Sequence, residues 1–150
     1  MIIGIDPGFT GAIAYLHPNR LWIYDLPVKI IMNKKQIDAR LFSDLLKINT
    51  PIEYAVIEDV NSMPNQGVSS TFRFGYNAGI LYGILIARNI KVLKVKPNVW
   101  KPALGLDRDK KKSLELAKKI FPKYKDYFKL MKHNGRAEAA LIAHFAQKSL

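Results

Sequence analysis

"MIIGIDPGFTGAIAYL", residues 1–16, is an apolar stretch interrupted by a single acid, Asp6. The isoleucines before this acid are β-branched and favour a buried strand. Residues 7–11 carry a proline and two glycines that turn the chain, and residues 12–16 form a second apolar run. A carboxylate at the end of a buried strand costs free energy unless it is paired. Asp6 is therefore either a cap of this turn or one member of a functional site.

The length and composition indicate one folded domain. The chain has 150 residues, of which 49% are hydrophobic, so residues 1–150 are expected to form a single domain with a core of its own. Cysteine is absent, which excludes disulfides and thiolate metal sites. No apolar run reaches transmembrane length and no signal peptide is evident. We therefore expect no membrane partner and a cytoplasmic location, in a bacterium or in the host of a phage rather than in an organelle.

The charge balance is strongly basic. Lysine and arginine number 24 against 12 aspartates and glutamates, which gives a formal net charge of +12. Residues 91–132 hold most of the lysines of the second half of the chain. A clustered excess of this size predicts a polyanionic partner, most commonly a nucleic acid.

The apolar periodicity predicts a mixed α/β domain. Three short strands joined by tight turns come first, then helices alternate with two further strands. The predicted strands are 2–6, 11–17, 21–26, 54–60 and 90–95. The predicted helices are 34–49, 68–88, a short one beginning at Pro97, one over 109–121 with Asp109 as its N-cap, and a last one over 135–150.

Two further acids stand in positions like that of Asp6. Glu58 ends the apolar run "AVIE", and Glu138 is predicted in the first turn of the last helix among small alanines that permit close packing on the sheet. If strands one and four are neighbours, the three carboxylates meet, and in a protein interior they cannot all stay ionised without a counter-charge. Divalent cations with oxygen ligands, Mg²⁺ above all, supply that charge. Each acid alone is more often a cap or a surface charge.

Four motifs in sequence order resemble the RuvC-type Holliday-junction resolvases, especially their phage and organellar branch. The motifs are "IIGIDPGFTGAIA", "AVIEDVNSMPNQGVSSTFRFGYNAGILYGIL", "VKPNVWKPALGLDRDKKKS" and "HNGRAEAALIAHF", which together span almost the whole chain. The resemblance implies an RNase H-like fold of the retroviral-integrase type, with a five-stranded mixed sheet of three antiparallel and then two parallel strands flanked by helices. It also implies a crossover-junction endonuclease that acts on four-way junction DNA.

The resemblance further implies that Asp6, Glu58 and Glu138 bind two Mg²⁺ ions, for which Mn²⁺ can substitute. Two such ions clamp the attacking and leaving oxygens of a phosphodiester. The family usually has a fourth ligand, an Asp or His, just before the helix acid. This chain has His133 and Asn134 there, and either an imidazole or an amide oxygen can bind a metal. The loss of one negative charge would weaken binding, and His133 is equally well an ordinary loop residue.

Basic residues are candidates for contacts with DNA phosphates. The resemblance places a lysine of "DKKKS" near the scissile phosphate, and among Lys110, Lys111 and Lys112 we select Lys110 as the catalytic one. Solvated lysines at the start of a helix are the simpler interpretation for at least one of the three. The further candidates for DNA binding are Lys101, Arg73, Arg136 and Met63, the last as an apolar wedge between bases.

A strip of three glycines marks the long helix. Gly75, Gly79 and Gly83 recur every four residues and leave one helix face smooth. Core packing would explain this strip, but the family that the chain resembles dimerises through this helix. We therefore expect a homodimer.

Other classes share parts of this pattern. The stretch "GIDPGFTGA" also resembles the phosphate loop of sugar kinases and actin-like ATPases, which need a second lobe for which 150 residues leave no room. A YqgF-like nuclease of the same fold acting on RNA is a closer alternative, although such proteins tend to lack "GRAEA". A junction-binding protein whose metal site is impaired by the change at His133 and Asn134 is the third.

Overall fold

The computed structural model describes residues 1–49, 51–62 and 64–149, which build a central sheet, a small hairpin and helices on both sheet faces. The strands are β1 Ile2–Ile5, β2 Ala12–His17, β3 Arg20–Asp25, β4 Val28–Ile31, β5 Lys34–Ile37, β6 Tyr54–Glu58 and β7 Lys91–Val95. The helices are α1 Ala39–Ile48, α2 Val68–Ala87, α3 Pro97–Ala103, α4 Lys110–Ile120 and α5 Asn134–Ser149, with 3₁₀ segments over Pro122–Phe128 and Met131–His133.

The central sheet has five strands in the order β3-β2-β1-β6-β7. The first three are antiparallel, and β6 and β7 run parallel to β1. The predicted mixed sheet is thereby confirmed. Since β1 and β6 are parallel neighbours with Ile5 opposite Ile57, the residues that follow each of them emerge side by side at one edge of the sheet.

The helices cover the two sheet faces separately. Alternate residues of β1 point to opposite faces, so Ile3 and Ile5 pack with a core beneath α1 and α2, while Ile2 packs with a core beneath α3, α4 and α5. Every residue of β1 is buried, which explains its near-continuous apolar sequence. No helix in the described ranges combines the length and apolar character needed to cross a lipid bilayer.

The structure corrects the sequence prediction in two places. Residues 34–37, predicted as the start of a helix, form β5 and pair with β4 as a hairpin, and α1 begins only at Ala39. Asp38 caps that helix, its Oδ1 accepting the amide protons of Arg40 and Leu41. In addition, α5 begins at Asn134, so Glu138 lies beyond the first turn in which it was expected.

Candidate metal centre

Three carboxylates meet at the edge of the sheet where β1 and β6 end. One ligand oxygen from each of Asp6, Glu58 and Glu138 lies within 4.8 Å of the others, which is the only such group found among the described residues. Asp6 follows β1 directly and Glu58 is the last residue of β6, so the parallel register sets these two side by side. Glu138 reaches them from α5 on one sheet face, where its side chain is buried.

The close approach of α5 to the sheet depends on glycine. A Cβ atom at Gly4 would lie 2.2 Å from the carbonyl oxygen of Ala139 and 2.6 Å from the amide nitrogen of Ala143. A Cβ at Gly135 would lie 2.2 Å from the carbonyl oxygen of Thr10. Only a residue without a side chain fits either contact, so these glycines let α5 lie near enough for Glu138 to join the strand-end acids.

Two of the three acids, Asp6 and Glu58, have a raised pKa. Burial raises the pKa of Asp6 to about 7, and the charges of Glu138 and Glu58 add to that shift against the opposing amide of Gly8, which donates to Asp6 Oδ1 at 3.1 Å. Burial likewise raises the pKa of Glu58. A cluster of three carboxylates that has, among the described residues, a single neighbouring ammonium group, that of Lys101, keeps excess negative charge on oxygen ligands, which fits a divalent cation such as Mg²⁺.

Two neighbouring residues of α3 hold the carboxylates in place. The indole nitrogen of Trp100 donates to Glu58 Oε1 at 2.9 Å, and the ammonium group of Lys101 lies 2.8 Å from Glu138 Oε1. Trp100 is fully buried and Lys101 is partly exposed. Sequence reasoning missed Trp100 because nothing in "NVWKPAL" distinguishes an indole that serves a site from one that fills the core. Lys101 was predicted only as a DNA contact.

The two candidates for a fourth ligand, His133 and Asn134, lie four to five residues before Glu138 in the sequence, and both make hydrogen bonds to other residues. Asn134 lies one helical turn before Glu138, on the same side of α5, and its Nδ2 donates to the carbonyl oxygen of Lys110 at 3.3 Å. That bond uses the amide nitrogen and not the amide oxygen, which is the atom of an asparagine that can bind a metal. His133 uses Nδ1 to accept the amide proton of Leu130 at 3.2 Å, and burial lowers its pKa.

The basic candidates occupy several environments. Lys110 is exposed at the start of α4, Lys111 is also exposed, and Lys112 pairs with Asp107. Arg136 donates to both carboxylate oxygens of Asp25, at 2.6 and 2.7 Å, so it ties α5 to β3.

Two further candidates for DNA binding belong to the segment around the start of α2. Arg73 is half-buried in this helix, and its Nε has no hydrogen-bond partner in the described part of the chain. The loop that precedes the helix includes Met63, which lies outside the described residues.

The glycine strip of α2 faces open space. A Cβ built at Gly75, Gly79 or Gly83 meets no atom within 4 Å, so core packing, the alternative explanation of the strip, is wrong. Large side chains on the same helix are exposed around it, among them Phe72 and Tyr76. Gly75 and Gly79 also line a groove of about 230 Å³ whose lining includes Glu58.

The fold of this chain is similar to that of proteins of known structure. No protein-family model and no curated protein sequence matches the chain. Among solved structures, Thermus thermophilus RuvC superposes with a TM-score of 0.65 at 18% identity, over 98% of this chain and 95% of that one. T. thermophilus RuvC in complex with a Holliday junction substrate superposes with a TM-score of 0.62 at 14% identity, over 98% and 94% of the two chains. This chain therefore has the RNase H-like fold of RuvC.

Proposed function

We propose that this protein, acting as a single nuclease domain, is a Mg²⁺-dependent endonuclease that resolves four-way DNA junctions. The observation that carries the proposal is the meeting of three carboxylates, Asp6, Glu58 and Glu138, at one sheet edge of a RuvC-type fold. One of the structures that share this fold holds a Holliday junction, which is a four-way DNA junction. The net charge of +12 supports a polyanionic substrate.

The protein residues bind and orient the reacting groups. Asp6, Glu58 and Glu138 would hold two Mg²⁺ ions, with the amide oxygen of Asn134 as a candidate fourth ligand. Bound there, such ions would activate water and stabilise the attacking and leaving oxygens of a phosphodiester. Trp100 fixes the rotamer of Glu58 by its hydrogen bond, so that this carboxylate is in position before the substrate arrives.

Lys101 is the cation best placed to act on the scissile phosphate. Its ammonium group already lies among the carboxylates, at 2.8 Å from Glu138 Oε1. From this position the ammonium group would neutralise charge that builds up on the phosphoryl oxygens. Lys110, which we selected from the sequence as the catalytic lysine, is exposed at the start of α4 together with Lys111. In this proposal Lys101 takes the catalytic role, and Lys110 and Lys111 are phosphate contacts that confer affinity without sequence information.

A homodimer completes the proposal, because a junction is resolved by two symmetric nicks. A two-fold dimer presents two copies of the carboxylate site at a fixed separation. The exposed glycine strip of α2 offers a surface on which two helices can approach closely. The aromatic side chains beside the strip, Phe72 and Tyr76, supply apolar area for such an interface.

The test is cleavage of labelled DNA with Mg²⁺, with Mn²⁺ and with chelator, on a four-way junction, linear duplex DNA and structured RNA of matched length. We expect paired nicks in the junction only when metal is present. Asp6→Asn and Glu58→Gln should abolish cleavage yet keep junction binding, because lysines supply most of the affinity. Cleavage of RNA alone would favour a ribonuclease, and binding without cleavage by the wild type would indicate an impaired junction-binding protein.

A further inference from the structure

The hairpin β4–β5 carries a cluster of exposed apolar side chains. Its two strands pair with each other and form a sheet separate from the central one. Three consecutive apolar side chains at its tip are exposed, Ile30 to 71%, Ile31 to 44% and Met32 to 90%, and Val28 nearer the base is 40% exposed. Single exposed apolar side chains are ordinary on protein surfaces, but a cluster on a projecting element indicates a contact with another molecule.

The hairpin of residues 28–37, here called the arm, has a regular turn and an anchored base. Met32 and Asn33 both have positive φ, 49° and 59°, as the tight two-residue turn between Ile31 and Lys34 requires. At its base, the amide of Ile37 donates to Asn77 Oδ1 on α2 at 2.6 Å in a buried hydrogen bond. Exposure of its tip is therefore not a consequence of a loosely attached loop.

The arm leaves the molecule from the edge of the sheet that carries the three acids. Leu26, the residue after β3, donates its amide proton to the carbonyl oxygen of Gly11 at 3.0 Å. The amide of Asp6 donates to the carbonyl oxygen of Ala12 at 3.1 Å. The base closes where Asp38 donates to the carbonyl oxygen of Pro27 at 2.8 Å. The hairpin thus begins and ends beside the turn that follows Asp6.

Charge determines which partner fits this arm. Residues 28–37 contain Lys29, Lys34 and Lys35 and no acid. Within the described ranges, none of these three ammonium groups takes part in an ion pair. With three positive charges and no acid of its own, the hairpin complements a polyanion and would be repelled by another basic surface.

We propose that the hairpin inserts into the open centre of branched DNA, where Ile30 and Met32 contact unstacked bases and Lys34 and Lys35 bind the flanking phosphates. The proposal rests on the proposed function for its substrate class, DNA with a branch point. Apolar side chains that wedge between bases and lysines that neutralise phosphates are the two chemistries by which proteins hold such DNA open. An intact duplex offers no unstacked base to the apolar tip.

Two double variants of the full chain separate the two contacts. Ile30→Ser/Met32→Ser removes the apolar tip and keeps the lysines, and Lys34→Ala/Lys35→Ala does the reverse. The matched control is Lys123→Ala/Lys125→Ala, which removes the same charge near the β2–β3 turn, at the end of the sheet opposite Asp6. Binding is measured in chelator on a four-way junction that carries 2-aminopurine at its branch point, and on linear duplex DNA. Circular dichroism and sedimentation follow folding and oligomeric state.

We expect the tip variant to lose about tenfold in junction affinity, with no change on duplex, because two apolar side chains no longer leave water. At saturation it should fail to produce the rise in 2-aminopurine fluorescence that wild type gives. The lysine variant should lower the slope of log affinity against log salt by about one per lysine removed, beyond any effect of the control.

Wild-type affinity and wild-type fluorescence in both hairpin variants would overturn the proposal. A folded hairpin variant that loses its oligomeric state would also overturn it, since the arm would then contact a second copy. These outcomes are independent of the proposed function, which fails if wild type does not cleave the junction with Mg²⁺. A fluorescence rise that depends on the tip supports the hairpin whether or not cleavage occurs.

Discussion

The indole nitrogen of Trp100 donates a hydrogen bond to Glu58 Oε1 across 2.9 Å, joining residues that are 42 positions apart in the chain. Trp100 is fully buried, so its ring cannot turn away, and the carboxylate it holds is fixed with it. The same hydrogen bond favours the ionised carboxylate and opposes the rise in the pKa of Glu58 that burial causes. Trp100 is thus a positioning residue for a proposed metal ligand.

Trp100→Phe keeps an aromatic ring and removes the donor. We expect cleavage to fall by roughly tenfold or more, as for other residues that orient metal ligands. Loss of the hydrogen bond also raises the pKa of Glu58 further, so the acidic limb of the rate profile should move to higher pH. The measurement is the junction cleavage rate against pH, with the free energy of unfolding determined in parallel. An unshifted profile in a folded variant would show that Trp100 only fills the core.

Lys101→Met removes the ammonium group from the carboxylates and keeps most of the side-chain length. We expect a loss of about a hundredfold in cleavage rate, comparable to removal of one transition-state donor, with junction affinity changed far less. Lys119→Met is the control, because Lys119 is exposed in the last turn of α4. Single-turnover cleavage and anisotropy measure the two quantities. An equal loss in both would make Lys101 an ordinary phosphate contact.

The strand-end acids were predictable because a charge that interrupts an apolar run is visible in the sequence. Asp6 and Glu58 follow from that pattern and from the parallel pairing of β1 and β6. Glu138 was predictable as a residue of a helix rich in alanine, although the helix begins earlier than expected. The contacts of Trp100 and Lys101 with these acids were not predictable from the sequence, because pairing between side chains 42 and 37 positions apart leaves no local signal.

The hairpin was missed for a different reason. Its turn, Met32-Asn33, lacks the glycine that usually marks a tight hairpin, and the residues after it suit a helix equally well. What settles the strand is a tertiary contact, the buried hydrogen bond from Ile37 to Asn77 on α2. Local preference over residues 34–37 is therefore overridden by packing that involves a helix 40 positions later.

The raised pKa of Asp6 predicts how the metal-free protein responds to pH. Folding raises this pKa from 3.8 to about 7, so the folded state holds the proton more tightly than the unfolded chain. The resulting stabilisation is complete below about pH 4 and is lost as pH rises through about 7. At about 1.4 kcal/mol per pKa unit, the loss is at most about 4 kcal/mol.

The measurement is the free energy of unfolding in chelator for wild type minus that for Asp6→Asn, because the difference cancels titrating groups that do not interact with Asp6. It should fall between pH 4 and pH 7 and stay level above. Mg²⁺ added at pH 8 should stabilise wild type and not the variant, since a cation binds the ionised carboxylates. A difference that is constant with pH would contradict the raised pKa.

Gly4→Ala tests the close approach of α5 to the sheet. The added methyl group would collide with the backbone of Ala139 and Ala143, which cannot rotate away as a side chain can. We expect a loss of about 3 kcal/mol in the free energy of unfolding, and weaker metal binding because Glu138 moves with its helix. Gly67→Ala is the control, since a Cβ there meets nothing within 4 Å, and it should cost no more than about 1 kcal/mol. Urea titration measures both, and equal effects would refute the tight contact.

Gly83→Leu tests the proposed dimer interface on α2. Within one copy a Cβ at Gly83 meets open space, so the fold is undisturbed and the helix gains up to about 1 kcal/mol from the better helix former. In a dimer packed along the glycine strip, the same side chain would hold the two helices apart. Gly79 is avoided because it lines the same groove as Glu58. We expect a folded, slightly stabilised monomer by circular dichroism and sedimentation, where wild type is a dimer at micromolar concentration.

Junction cleavage by that monomer should give single nicks instead of paired ones, because the two sites are no longer held at a fixed separation. A wild-type protein that sediments as a monomer and binds its junction singly would rule out the paired mechanism.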